Sequence, residues 1–306
     1  MSLSNRIAII GAGMAGAACA RALHDAGYEV VAFDKSRGTG GRLSTRRTPD
    51  WQADHGAPGF HAGCPDFISE VARWVDAGIA APFSVDGEFV GVPQMNQPVK
   101  HLLRDITIRT GQRIAHIERN AAGQYRLLNE SGEVAGEAFD AVISATPAEQ
   151  AVPLLVNLSA TLADLARSAQ QTPCWVAMLS GIQDTPIAGS PMIDRIIANH
   201  CKYGRANTPV YVAYATEAWS VEHLEDSADS VKEAFLTALL PDQRREEVTC
   251  EVHRWRYARG GLGLATPWAW DASARIGLCG DWLGAGSVES AWLSGCGIAN
   301  QFLAGN

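Results

Sequence analysis

No two cysteines of this 306-residue chain stand in a CxxC pair, and the seven present (positions 19, 64, 174, 201, 250, 279 and 296) are scattered and odd in number. That pattern supports neither a disulfide framework nor a structural zinc site, and it makes the reducing cytoplasm the expected compartment. No uninterrupted apolar run approaches the ~20 residues that cross a bilayer, so no membrane association is expected. Positive charge is scarce too. The 25 Lys and Arg against 33 Asp and Glu give a formal net charge of -8, which argues against a nucleic-acid partner because its phosphates would be repelled. Neither an HExxH helix nor an Asp/His/His set points to a metal, and no GxSxG elbow points to a hydrolase. There is no low-complexity tract and no solenoid-type repeat. What remains is an acidic globular chain, 47% hydrophobic, with material for one large or two interleaved domains.

The richest stretch is RIAIIGAGMAGAACARALHDAGYEVVAFDKSRGTGGR, residues 6–42. The run Ile7 to Ile10 predicts a buried parallel strand that delivers Gly11, Gly13 and Gly16 into the start of a helix. Gly11 permits the turn, Gly13 lets a pyrophosphate approach the backbone, and Gly16 lets helix pack on strand. Arg6 followed by these apolar residues resembles a signal peptide in outline, yet the glycine fingerprint accounts for the same residues. A second predicted strand from Glu29 ends at Asp34, where a carboxylate accepts hydrogen bonds from a ribose diol and repels a 2'-phosphate. The acid leaves NAD and FAD both open.

The next residues separate them. Arg37, Gly40, Gly41 and Arg42 form RxxGGR, which resembles the arm after the second strand in glutathione-reductase-like and amine-oxidase-like flavoproteins. Paired glycines let the chain fold back over a cofactor, and Arg42 offers a planar fork to its phosphates. Near the C-terminus, residues 275–303 again read strand, glycine turn, helix. Gly280 gives room, Asp281 reaches ribityl or phosphate-linked groups, and a helix beginning near Val288 aims free amides at an electron-rich atom. A reduced flavin carries negative charge in its pyrimidine portion, which such a terminus stabilises.

Between these motifs the pattern predicts a helix near Asp66 to Ala77, an extended segment at Gly87 to Val92 and a helix starting at Val99. It also predicts a hairpin of 112–118 with 124–128 and a returning strand in 139–147. Residues 150–270 read as an α+β region, with strands at 210–214 and 247–255 and an amphipathic helix at 227–240 whose stripe is a packing face.

Six segments together resemble the bacterial renalase-like FAD-dependent oxidoreductases of the flavin-containing amine oxidase superfamily. They are GAGMAG at 11–16, RGTGGR at 37–42, DHGA at 54–57, ATEAWSVEHLE at 215–225, HRWRYA at 253–258 and GDWLGAGSVESAWLSG at 280–295. The first two are common to many flavoproteins, and the last three are narrower. The resemblance implies an α/β fold: a Rossmann-like FAD-binding domain of the glutathione-reductase/amine-oxidase type with an interleaved α+β substrate domain. It places the first at 1–62, 98–148 and 272–306, and the second at 63–97 and 149–271. It implies FAD held without a covalent link, a dihydronicotinamide or amine as the small-molecule substrate, and O2 as acceptor, yielding H2O2. Carried over by position, Gly11, Gly13, Ala15, Gly16, Asp34 and Lys35 hold the ADP half, and Arg37, Gly41 and Arg42 the pyrophosphate. Gly56 and Ala57 meet the flavin edge, and Gly280, Asp281 and Val288 the ribityl and pyrimidine end. Asp34 departs from the more usual Glu and shortens the reach to the ribose.

Hydride transfer to a flavin needs positioning more than a strong base. The substrate wall is expected to include His253, Trp255, Tyr257 and Trp268, together with Trp270, because flat aromatic faces hold a nicotinamide ring or an amine. If 253–258 is a strand, His253, Trp255 and Tyr257 share one face and Arg254 and Arg256 the other. His55 reads as a packing or capping histidine, and Cys279 and Cys296 as buried structural thiols. An amine oxidase and a flavin-holding redox sensor or assembly partner without turnover stand as alternatives.

Overall fold

The computed structural model describes residues 6–83, 87–182, 186, 189–240 and 245–305, the side chain of residue 246 excepted. In chain order the elements are β1 (Arg6–Ile10), α1 (Met14–Asp25), β2 (Glu29–Asp34), β3 (Thr45–Arg47), β4 (Gln52–Asp54), α2 (Pro65–Asp76), β5 (Ala80–Pro82), β6 (Phe89–Gly91), α3 (Gln97–Leu102), β7 (Thr107–Thr110), β8 (His116–Arg119), β9 (Tyr125–Leu128) and β10 (Ala141–Ser144). The second half continues with α4 (Ala148–Leu155), α5 (Ala160–Ser168), β11 (Thr172–Ser180), β12 (Ile193–Ala198), β13 (Val210–Ala215), α6 (Glu217–Glu222), α7 (Ala228–Leu239), β14 (Thr249–Arg259), β15 (Trp268–Asp271), β16 (Ile276–Cys279) and α8 (Val288–Ala304).

A six-stranded sheet has the order β15-β16-β10-β1-β2-β7. Every neighbouring pair from β16 to β7 is parallel, and β15 closes one edge antiparallel to β16. From β1 the chain crosses through α1 to β2 on one side, and β10 lies on the other. The strand order therefore reverses at β1, and the crevice beyond the carboxyl ends of β1 and β10 is where such sheets take ligands. The β1 pattern fits this place: Ile7, Ala8, Ile9 and Ile10 are all buried, as a central parallel strand covered on both faces requires.

Antiparallel pairings link β12-β13-β11-β14 into a second sheet of four strands. On one face, Trp175, Ala177 and Leu179 pack with Val231, Phe235 and Leu239 of α7, the stripe the sequence assigns to packing. The other face carries Cys174, Val176, Met178, Val212 and Tyr214, packed with Trp51 and Ala53. The segment leading to DHGA thus lies against this second sheet.

Several expectations change. The stretch TPCWVAMLS of β11 is buried almost throughout, so it shows no alternation by which a sequence pattern marks a strand. Strand structure in the predicted hairpin begins at His116, not Gln112. Residues 268–271, expected with the substrate region, form the edge of the first sheet, where Trp268 and Trp270 cover the core shared with α8. Among the described residues no helix is long and apolar enough to cross a membrane.

Candidate functional site

The site is built from the first turn outward. Gly11 has φ +110°, and a Cβ there would stand 2.7 Å from the Ala145 carbonyl oxygen, so β1 and β10 approach too closely for a side chain. At Gly16 a Cβ would lie 1.9 Å from the Gly11 carbonyl oxygen. Gly13 is different: the nearest atom to its Cβ position is Gly41 Cα at 3.9 Å. The protein needs no glycine at 13 for its own packing, whereas an approaching phosphate does. This open place at the head of α1, with Gly41 of the second arm facing it, is the observation that fits a dinucleotide.

Asp34 ends β2 with one carboxylate oxygen accepting from Ala12 N (2.9 Å) and the other from Ser36 N (2.8 Å). Each oxygen retains a lone pair for a ribose hydroxyl. Lys35 donates to Gln150 (3.2 Å), its pKa lowered by partial burial and by Arg113. Arg37 is exposed on the turn.

Arg42 spans the molecule. Its guanidinium donates to Asp281, with one bond of 2.8 Å and a second closer one, and to the Ala258 carbonyl (3.2 Å). The two residues expected at different parts of the cofactor therefore form one bidentate pair, which offsets the charge of a carboxylate only 5% exposed. The Arg42 carbonyl accepts from Ala57 N (2.7 Å), and a Cβ at Gly56 would lie 1.9 Å from that same oxygen. RGTGGR, DHGA and GDW thus meet at Arg42.

From Asp281 the chain passes to α8, whose first turn is capped by Ser287, the side chain accepting from Ser290 N (3.0 Å). Val288 is half-buried at its start. Gly280 N donates to Ser294 Oγ (2.8 Å), tying the strand end to the helix. Glu289 accepts from the amides of Gly63 (2.8 Å) and Cys64 (2.6 Å) and so fixes the entry to α2. Helices α1 and α8 touch closely: a Cβ at Gly295 would lie 2.1 Å from the Ala15 carbonyl oxygen. Two helix N-termini are held in one packed unit, each a place for negative charge.

Beside Gly56 and Ala57 stands an aromatic cluster. His55 stacks on Trp255 (centroids 5.3 Å apart, planes at 23°), and His253 meets both edgewise, at 4.7 Å from His55 and 4.4 Å from Trp255. Trp255 Nε1 donates to the His55 carbonyl (2.7 Å). His55, expected to pack or cap, packs at the centre of this group, and its Nδ1 is buried with no hydrogen-bond partner. Both rings are neutral near pH 7. Burial, then His253 and Arg46, lowers the His55 pKa to about 3; burial and Arg46 lower that of His253 to about 4.

A buried ion cluster supports the loop from below. Asp54, Lys202 and Arg205 are 0%, 2% and 8% exposed. Asp54 Oδ2 accepts from Lys202 Nζ (3.1 Å) and Arg205 Nη2 (2.6 Å), and Oδ1 accepts from Thr45 (2.7 Å). Tyr214 donates to the Gly56 carbonyl (2.9 Å). Asp54 lies in the quoted DHGA motif. Lys202, Arg205 and Tyr214 lie some 150 residues away, with no local pattern to mark them.

Two expected wall residues are placed elsewhere. The register of β14 against β11 slips after Trp255: between the pairs Trp255–Cys174 and Arg259–Thr172, three residues of β14, 256 to 258, lie opposite the single residue 173 of β11. Tyr257 sits in that irregularity and leaves the alternation. It faces Glu149, which together with burial raises its pKa. Trp268 packs its ring on α8 where Gly297 leaves room, since a Cβ there would lie 2.2 Å from the ring. It is partly buried and packs against the core beside the first sheet. The opposite face of β14 is as expected: Arg254 and Arg256 both pair with Glu225. Burial pushes the Cys296 thiol up to about 12 and Cys279 higher.

The neutral histidines carry a pH prediction. Their folded pKa values lie below the ordinary 6.5, so under pH 6.5 the unfolded chain binds protons that the folded chain refuses, and stability falls as pH falls toward 4. His253→Gln should flatten the urea-derived stability slope between pH 6 and 4.5 by up to ~1.4 kcal/mol per pH unit. Equal slopes would contradict a neutral buried His253.

Residues 9–74 match the NAD(P)-binding Rossmann-like domain, and residues 83–303 match the flavin-containing amine oxidoreductases. A provisionally assigned protoporphyrinogen oxidase structure from Exiguobacterium sp. 255-15 is similar over 99% of this chain and 100% of its own, with a TM-score of 0.66 and 13% identity, a likeness of fold. An L-amino-acid oxidase of Crotalus adamanteus is 45% identical over 51 residues, 17% of this chain and 10% of that protein. One from Siganus canaliculatus is 41% identical over 59 residues, 19% of this chain and 11% of that protein. The matched stretch thus spans about a tenth of these curated relatives. The family match covers most of the length: the chain belongs to the flavin-containing amine oxidoreductase family, a family of redox enzymes.

Proposed function

We propose that the protein is an FAD-dependent oxidase that takes a hydride from a dihydronicotinamide. The single observation that carries this reading is the neutral cluster of His55, His253 and Trp255 packed beside the Gly56–Ala57 turn. Bound FAD would supply the hydride acceptor and the two-electron route to O2, so that the reduced substrate, a proton and O2 would give the oxidised ring and H2O2. In this reading Gly11, Gly13, Gly16 and Asp34 hold the ADP half, and the first turn of α8 faces the pyrimidine end. FAD is bound without a covalent link.

The chain's own residues supply orientation. Trp255 offers a flat face to a flat ring, and a neutral His253 presents one donor and one acceptor, the complement of a carboxamide. Both rings rest neutral at neutral pH, and the hydride transfer itself asks for no base. Amine oxidation is the second reading, favoured by the family and by the L-amino-acid oxidase stretches.

Trp255→Ala tests the placement. Flavin content should stay within a factor of two while anaerobic flavin reduction by dihydronicotinamide slows at least ~100-fold, ~2.7 kcal/mol of lost positioning. Unchanged reduction kinetics would remove Trp255 from the site.

A further inference from the structure

The charges around the histidine pair are uneven. Arg42 is engaged by Asp281, and Lys202 and Arg205 by Asp54. Arg46 is held more loosely: its Nε lies 3.7 Å from Glu251 Oε2, and the two side chains are 38% and 39% exposed. Arg46 pairs with Ala53 across the β3–β4 hairpin, two residues before His55. Glu251 precedes His253 by two on β14, so Glu251, His253 and Trp255 alternate onto one face. The hairpin and β14 therefore bring the partly exposed Arg46 close to the histidine pair, and its field reaches both rings.

We infer that Arg46 selects for a substrate bearing an anionic group, a phosphate or a carboxylate, and exchanges Glu251 for that group when substrate binds. The inference rests on the reading above for the reacting ring but not for the anion. A guanidinium fork matches either group bidentately. A 3.7 Å pair more than a third open to water contributes little and is readily exchanged, and a substrate anion would bring its own charge to Arg46 while its ring lies toward Trp255. A cationic amine meets the opposite field.

Calorimetric titration of the flavin-loaded protein with benzoate, phenyl phosphate, benzamide and benzylamine tests this, the first two separating carboxylate from phosphate. Wild type should bind at least one of the anions more tightly than benzamide, and benzylamine most weakly. Arg46→Gln should weaken the preferred anion at least ~10-fold and leave benzamide within twofold, Arg46→Lys should recover part of the loss, and Glu251→Gln should tighten the anion ~3-fold. Arg47→Gln, an exposed neighbour on the other face, should change none of these. Opposite signs from Arg46 and Glu251 cannot arise from damaged folding. Equal affinity for anion and benzamide in wild type, or the same response in both variants, overturns the inference. In a kinetic arm, Arg46→Gln should raise KM for dihydronicotinamide mononucleotide but not for the riboside, with kcat unchanged. If neither compound reduces the flavin yet the anion preference depends on Arg46, the dihydronicotinamide reading fails and the anion site stands. If both are oxidised with identical KM before and after substitution, the anion site fails and the reading stands.

Discussion

Gly13→Ala should leave a folded protein that no longer holds its flavin. The new Cβ has Gly41 Cα at 3.9 Å as its nearest neighbour, and Gly13 sits at φ -83°, ψ -170°, a conformation alanine adopts without strain. Nothing in the polypeptide resists the change beyond a small helix-cap cost. The methyl group occupies the space a pyrophosphate needs, so flavin affinity should fall at least ~100-fold, ~2.7 kcal/mol. On heating, wild type should release one FAD per chain and the variant almost none, while urea unfolding of the two apoproteins stays within about 1 kcal/mol. Gly16→Ala is the contrast. Its Cβ collides with the Gly11 carbonyl oxygen at 1.9 Å, so it should lose flavin and stability together. Full flavin content in Gly13→Ala would mean that the open place at the head of α1 is not where the phosphates lie.

The second large effect is expected at Asp54. Its carboxylate holds two buried cations, Lys202 and Arg205, with Thr45 bonded to the other oxygen. Asp54→Asn keeps the shape and removes the charge, leaving both cations without their nearest anion. The expected loss is about 3–5 kcal/mol in urea denaturation. Burial already lowers the Lys202 pKa, with Asp54 opposing that shift, so removing the Asp54 charge should lower it further. Asp54→Asn combined with Lys202→Met should therefore recover part of the lost stability. The loop carrying His55 and Gly56 follows directly on Asp54, so flavin affinity should fall with stability and recover with it. A loss below about 1 kcal/mol would contradict a structural role for the cluster.

Legibility followed the range of the interactions. The Gly11 turn, Asp34, Gly280–Asp281 and the helix at Val288 could be read because strand, turn and helix are adjacent in sequence and each imposes its own local pattern. The alternation at 253–255 was legible for the same reason. Tyr257 was not, because the slip in register after Trp255 is set by the pairing with β11. Trp268 was misplaced because an aromatic residue says nothing about which surface covers it, and the hollow at Gly297 lies 29 residues onward. His55 became interpretable only when β14 was brought against it. Lys202 and Arg205 show a solvated-looking pattern in sequence, and their burial is purely a consequence of the second sheet meeting the DHGA segment.

Anaerobic mixing of the flavin-loaded protein with dihydronicotinamide isomers and with amines, followed at the flavin absorbance band, tests the central claim most directly. The account predicts that at least one dihydronicotinamide isomer bleaches the flavin at a catalytic rate, that readmitted O2 restores it with H2O2 formed, and that amines leave it oxidised. Rapid bleaching by an amine with none by any dihydronicotinamide isomer would contradict it.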